Sequence, residues 1–505
     1  MPVFVGCDLG TMGTKAVVAD EAGEILGSAF EEVQLHYPQP GWVEQHWDEI
    51  ETSAHRTIRN AIEESGRTSD IAGVAFSGQM SGVGAIDEHY GPAGHYDSWL
   101  DTRCEPQILE MNEHADRVTE LSGCPPTYSH GPKILYWQRE RPDDFKRIAR
   151  FVVPGAYVAG RMCGLRIDNA FIDRTYIHFS NLSKTAQAEW SEELLDAFGI
   201  DGRVLPRIVD PFDIVGEVTR EASEITGVPA GTPVAAGAGD QTAASLGAGV
   251  VSPGEAFDSS GTASVFAICV DGFYPDVENK VLMATHSAIQ GIYIALAFIN
   301  GGGLALRWFR DEIATDMKLD PDAYAKLDDL AAGAPVGSGG LLWFPHIQGR
   351  VLPPQPYVRG SWVGLTSGHS LGYMFRSILE GIAYEYAEWA RLAGEARRGL
   401  VLREARALGG GAASSLWNQI KADVLGIEWV PTLRQECGVL GDALIAAAAT
   451  GHVKDVAATG KQWQQTTEPF HPDPQRHSTY EKLVSAYRRL GQTIAPVFRE
   501  LGAAD

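Results

Sequence analysis

Three short runs of alternating and continuous apolar residues open the chain, Val3–Leu9, Thr14–Asp20 and Glu24–Val33. Turns at Gly10–Gly13 and Glu21–Gly23 separate them, so the pattern predicts an antiparallel meander. The period then changes. From about Trp47 to Glu64, residues Ile50, Ala54, Thr57, Ile58, Ala61 and Ile62 fall on one face of a helix. A buried strand, Ile71–Ser77, follows, and strands alternating with helices in this order predict an α/β layer architecture. The same sequence of periods returns later. Pro233–Gly239 reads as an apolar strand that runs into Asp240. Glu255–Ser259 and Ala263–Val270 read as strands around a Ser260-Gly261-Thr262 turn, with a further strand at Tyr293–Ile299 and a helix around Leu304–Ile313. Gly10-Thr11 and Gly261-Thr262 occupy matching points of two similar β-turn-β units. The chain thus divides into two units, residues 1–247 and 248–505, with Gly247, Gly249, Pro253 and Gly254 clustered at the boundary.

Charge narrows the partners. Against 65 acidic residues stand 41 basic ones, a net charge of −24 over 505 residues. A nucleic-acid backbone or an anionic membrane needs a basic face, so neither is expected as main partner. Phosphate ligands remain open, because backbone N–H groups and a metal ion can hold them locally. The longest apolar candidate, Ile292–Ile299, is strand length and far short of a bilayer span. The N-terminus lacks the basic and apolar regions of a signal peptide. Six cysteines form no C-x-x-C pair and read as reduced thiols, which points to a cytoplasmic protein. The 56 glycines exceed the usual share and gather at a few turns, where the candidate chemistry lies.

The first such turn is Asp8-Leu9-Gly10-Thr11-Met12-Gly13-Thr14-Lys15. Its glycines let backbone N–H groups converge on an anion, Thr11 and Thr14 offer hydroxyls, and Asp8 could hold a hydrated Mg²⁺. A plain hairpin turn fits the same string. In Gly239-Asp240-Gln241 a carboxylate ends a buried strand, where α/β folds place chemistry. Asp240 could take the proton of a substrate hydroxyl there, or simply cap a helix. Ser260-Gly261-Thr262 repeats the anion-turn pattern. Gly409-Gly410-Gly411, followed by a helix from about Ser414 that carries Asn418, leaves bare backbone for a flat ring. Gln79-Met80-Ser81 and Trp99-Leu100-Asp101-Thr102-Arg103 gather polar groups and an aromatic at strand ends, suited to a polyol; Arg103 with Asp101 could equally be a structural ion pair.

Taken together and in order, these strings resemble the FGGY carbohydrate kinases over essentially the whole chain. Further landmarks are Pro40 to Gln45, Lys133 to Trp137, Gly349-Arg350 with Pro353, Arg376 to Gly381, and Gly409 through Asp423. The resemblance implies two similar actin-like ATPase (ribonuclease H-like) domains flanking a deep cleft, with ATP and Mg²⁺ as cofactors and a small sugar or polyol as substrate. By the same resemblance Asp240 is the catalytic base and a second contact to the metal beside Asp8. Asp8, Gly10, Thr11, Thr14, Lys15, Gly261, Thr262, Gly409, Gly410, Gly411 and Asn418 are nucleotide-side positions. Gln79, Met80, Ser81, Trp99, Asp101, Arg103, Asp240 and Gln241 are sugar-side positions. The xylulose kinase branch looks nearest, implying phosphorylation of D-xylulose at a terminal hydroxyl, and a homodimer is possible. This chain has Ser81 and Leu100 where that branch usually carries His and Asn, so a different pentulose or a polyol of the ribulose, erythritol, glycerol or gluconate type is the alternative. A non-catalytic actin-like ATP-binding protein would not need the strings at Gln79 and Trp99.

Overall fold

The protein is described here by a computed structural model covering residues 1–502. Strands β1 (Val3–Leu9), β2 (Gly13–Asp20) and β3 (Ile25–Glu32) form the expected meander. Helix α1 (Trp47–Ser65) buries Ile50, Ala54, Ile58, Ala61 and Ile62, the face that the periodicity marks. It ends at Gly66 in the left-handed conformation, its N–H closing back on Ile62 O. β4 (Ile71–Gly78) then pairs parallel to β1, opposing Ser77 to Asp8. β5 (Ile214–Glu217) and β6 (Pro233–Ala235) extend this sheet, giving the order β5-β6-β4-β1-β2-β3.

One expectation changes in detail. Pro233–Gly239 is not one continuous strand: β6 stops at Ala235, and β7 (Ala238–Gly239) rejoins β4 after a break. At the break Gly237 has φ +80, and a Cβ there would stand 1.8 Å from Phe76 O, so only glycine fits. The break leaves one extra residue between the Val234–Val74 and Ala238–Ser77 pairs on the same edge of β4, and the strand then runs straight into helix α2 (Asp240–Gly247).

The second half repeats the topology. β8 (Glu255–Ser260), β9 (Ser264–Val270) and β11 (Tyr293–Ile299) form a meander, with β10 (Met283–His286) on its edge. After helix α3 (Leu371–Ala396), strands β12 (Glu404–Leu408) and β13 (Glu428–Pro431) add parallel to β8, giving β10-β11-β9-β8-β12-β13. The helix expected over Leu304–Ile313 is an α-helix over Gly302–Trp308 that widens into a π-turn over Phe309–Ile313. Helix α4 (Ser415–Leu425) is capped by Ser414, whose Oγ accepts from Trp417 N. Helix α5 (Cys437–Ala449) then crosses back onto the first sheet, joining Phe4, Ala75, Ala238 and Leu246 in one core. A long helix, α6 (Pro474–Gly502), closes the second half.

All six cysteines are free. Among the described residues no helix is long and apolar enough to cross a membrane.

Candidate active site

The ends of β1, β4 and β7 meet at the cleft and line a cavity of about 300 Å³. Gln79, Met80, Ser81, Trp99, Leu100, Asp240 and Gln241 all face it. Trp99 is held upright by its Nε1–H, which donates to Thr11 Oγ at 2.8 Å. Gln79 is held by Gln45, with Nε2 donating to Gln45 Oε1 at 2.6 Å. Ser81 has φ +69 and its hydroxyl donates to Tyr128 O at 3.1 Å, so it is occupied by backbone rather than left free for a ligand. The far wall comes from the second half: Phe298 meets Trp99 edge to face at 6.5 Å, with Asn300, Gln348 and Arg350 around it. Aromatic faces with a few convergent polar groups form the ordinary construction of a small-molecule site.

Asp240 opens α2 but does not cap it; the cap position is Gly239, which makes no side-chain cap bond. Oδ1 accepts only from the adjacent Gln241 N at 2.7 Å, so the carboxylate stays directed to the cavity. Burial, and then the Asp8 carboxylate, push its proton affinity up to about 7. A carboxylate poised near neutrality and aimed into a cleft suits proton transfer at physiological pH.

A second cavity of about 570 Å³ lies within the second half, lined by Gly261, Thr262, Gly303, Arg307, Gly410 and Gly411 among others. At Gly410 a Cβ would meet nothing within 4 Å, so this backbone faces open space. Beneath the turn, Asp258 is fully buried and pairs with Lys421 Nζ, while Ser260 Oγ and Tyr386 OH each donate to Asp258 Oδ1 at 2.7 Å. The Lys421 ammonium also stands 3.5 Å above the Trp417 ring. This network anchors the Ser260–Thr262 turn from below.

Residues 3–247 match the N-terminal domain, and residues 258–450 the C-terminal domain, of the FGGY family of carbohydrate kinases. The chain belongs to the FGGY family of carbohydrate kinases. It is 26% identical to xylulose kinase of Bacillus subtilis over 494 residues, covering 97% of each chain. It is 28% identical to the gluconokinase of the same organism over 510 residues, covering 99% of this chain and 95% of that one. The crystal structure of xylulose kinase from Rhodospirillum rubrum superposes with a TM-score of 0.89 at 25% identity, covering 98% and 99% of the two chains. The fold is thus the two-domain, actin-like ATPase fold expected from the resemblance, and the protein is a sugar kinase that uses ATP.

Within this FGGY kinase the sites expected from sequence sort into groups. Gly261, Thr262, Gly410 and Gly411 line the second cavity, with Gly409 at φ +72 leading into the loop. Asn418 is buried behind that loop, its Nδ2 donating to Ala412 O at 2.8 Å. Asp8 ends β1 and Gly10 closes the turn through its N–H to Gly13 O. Thr11 reaches the cavity beside Trp99. Thr14 instead points inward, its Oγ 2.7 Å from Ser53 Oγ, and Lys15 turns to Glu436 at 3.0 Å. Asp101 and Arg103 lie behind the cavity wall, not on it. Arg103 Nη2 binds Asp101 Oδ2 at 2.7 Å and Glu44 Oε1 at 2.6 Å, and its guanidinium lies 4.0 Å from the Trp42 ring. Asp101 Oδ2 also accepts from Val43 N at 2.7 Å, so the pair fixes the Trp99 loop in place. Sequence reasoning missed Thr175 and Tyr176, which clamp the two strand ends: Thr175 Oγ accepts from Gly239 N and Tyr176 OH donates to Gly78 O. It missed Phe298 and Tyr128 as well, because ordinary core aromatics carry no local pattern that marks them as cavity walls.

Proposed function

We propose that the protein phosphorylates a terminal hydroxyl of a small ketose, D-xylulose first among the candidates, with the sugar in the cavity beside Trp99 and the nucleotide in the cavity beside Gly410. The observation that carries this reading is Asp240: its carboxylate faces the sugar cavity, is unused as a helix cap, and titrates near 7. Asp240 orients the attacking hydroxyl and takes its proton as the phosphoryl group leaves the nucleotide. The Ser260–Thr262 turn and the Gly409–Gly411 loop offer backbone N–H groups to phosphate oxygens. Burial raises the proton affinity of both Asp8 and Asp240, and the Asp8 carboxylate raises that of Asp240 further, while Lys15, whose charge lowers Asp8, is itself paired with Glu436. Two buried carboxylates at the strand ends, one raising the other, fit a divalent cation such as Mg²⁺, which would neutralise phosphate charge when bound. Phe298 and Arg350 from the second half close over the sugar and exclude water, which otherwise competes as nucleophile. A cytoplasmic homodimer is consistent with this reading.

Gluconate-type and other polyol substrates form the second reading, favoured by the departures at Ser81 and Leu100 on the cavity wall and by the similarity to a gluconokinase. A coupled ADP-release assay over D-xylulose, D-ribulose, L-ribulose, L-xylulose, erythritol, glycerol and gluconate separates them. D-xylulose with the highest kcat/KM supports the first reading; a different leading substrate replaces it, and no sugar-dependent ADP release removes both.

A further inference from the structure

Helix α5 belongs by sequence to the second half, yet it lies flush on the first sheet. Two glycines permit that approach: a Cβ on Gly6 of β1 would stand 2.1 Å from Val439 O, and one on Gly441 of α5 would stand 2.0 Å from Ala243 O of α2. The close seat carries Asp442 to the catalytic end of β1 and β4. Asp442 is 0% exposed, and its Oδ1 has no hydrogen-bond partner among the described residues. Its Oδ2 lies 2.7 Å from Ser77 Oγ, and the same Oγ lies 3.1 Å from Asp8 Oδ1.

Counting hydrogens decides how this chain is wired. A serine hydroxyl has one proton and donates fully to only one of these oxygens, so two full hydrogen bonds here take a second proton. The second must come from a carboxyl group. Burial raises the proton affinity of Asp8 too, but Asp8 is partly open to the cleft, and the Ser77 hydroxyl and the Lys15 charge across the β1–β2 ladder both favour its anion. Asp442 is enclosed, and the groups that act on it are Asp8, Asp240 and Ser77, none of them cationic. Burial and then Asp8 raise its proton affinity well above the ordinary carboxylate range.

We propose that Asp442 is a positioning residue that works as a neutral hydrogen-bond donor: Asp442 Oδ2–H donates to Ser77 Oγ, whose own proton is thereby committed to Asp8 Oδ1. The relay orients the Asp8 carboxylate toward the phosphate turn without adding a third negative charge beside Asp8 and Asp240. It also ties helix α5, from the second half of the chain, to two strands of the first, so the relay forms only when that helix is seated. This rests on the reading of Asp8 as the carboxylate that serves the metal-bound nucleotide.

The test compares Asp442→Asn, Asp442→Ala and Ser77→Ala. An amide keeps the shape and still donates to Ser77, whereas a carboxylate acting through its charge would not survive that change. Three readouts are taken: Mn²⁺ affinity in the presence of ADP by electron paramagnetic resonance, melting of the ligand-free protein, and the split between kcat and KM. Asp442→Asn is expected within about threefold of wild type on Mn²⁺·ADP affinity, while Asp442→Ala and Ser77→Ala each lose about three- to tenfold, the scale of one lost hydrogen bond. Sugar affinity should not move. The double variant Ser77→Ala/Asp442→Ala should be no worse than Ser77→Ala alone, since both residues act through one chain. Asp442→Asn as damaged as Asp442→Ala would overturn the donor assignment and make the charge itself the functional element. Asp442→Ala with wild-type affinity would remove any role. Should Asp442→Ala fail to fold, Ser77→Ala against Asp442→Asn carries the same comparison. Failure of every sugar in the panel would refute the kinase reading separately, because Mn²⁺·ADP binding and melting do not depend on the sugar.

Discussion

Asp240→Asn is the perturbation with the most to reveal. The wild-type carboxyl titrates at about 7 because burial, and then Asp8, oppose its charge. With a midpoint there, about 1% of molecules carry the base form at pH 5 and about half at pH 7, so kcat/KM should climb roughly fiftyfold between them with unit slope. Removing the base altogether should lower kcat by about two to four orders of magnitude, or ~3–5 kcal/mol in barrier, and abolish the acid limb. Nucleotide binding should persist, because Gly261, Thr262 and Gly410 line a different cavity. Stability should move the other way. A carboxyl whose folded value lies above its ordinary 3.8 binds its proton more tightly when folded, so its contribution to stability falls as pH rises from about 4 to about 7 and is flat beyond. The neutral amide escapes that loss, so the variant should gain in melting temperature relative to wild type at pH 8 but not at pH 4. ADP release at saturating nucleotide from pH 5 to 9, with parallel thermal melts, measures both. A wild-type rate flat between pH 5 and 7, or a folded variant retaining more than a tenth of kcat, would refute the assignment.

Gly410→Val should raise KM for ATP and leave sugar binding near wild type, because the new side chain enters the open space of the second cavity; titration calorimetry with each ligand reads this, and weakened sugar binding alone would show the two cavities are assigned the wrong way round. Ser81→His with Leu100→Asn puts polar groups on the sugar-side wall and should shift the rank order toward D-xylulose by a few-fold to about tenfold. A uniform loss over all sugars would instead assign both residues to packing. Lys421→Met leaves Asp258 buried without its cation and should cost about 3–5 kcal/mol, visible as a lower urea midpoint.

Local pattern was enough for much of this. The meander over β1–β3, helix α1 and its buried face, and the recurrence of both in the second half follow from periodicity and turn glycines, because short-range sterics and burial act within a few residues. The strings at Gln79, Trp99, Asp240, Gly261 and Gly410 stand out as compact local runs that also fit plain turns or caps, and in the fold they line the two cavities. Which way those residues face was not legible. Thr11 and Thr14 stand close in sequence, yet Thr14 lies on β2 and packs on Ser53 while Thr11 lies in the turn and reaches the cavity beside Trp99. Asp101 and Arg103 read either as sugar contacts or as a structural ion pair, and in the fold they form a buried pair bracing the loop that presents Trp99. Nothing local at Asp442 marks it either. It reaches Asp8, through Ser77, only because a helix some 430 residues downstream lies against β1 at Gly6 and against α2 at its own Gly441, a contact between distant parts of the chain that only the folded packing decides.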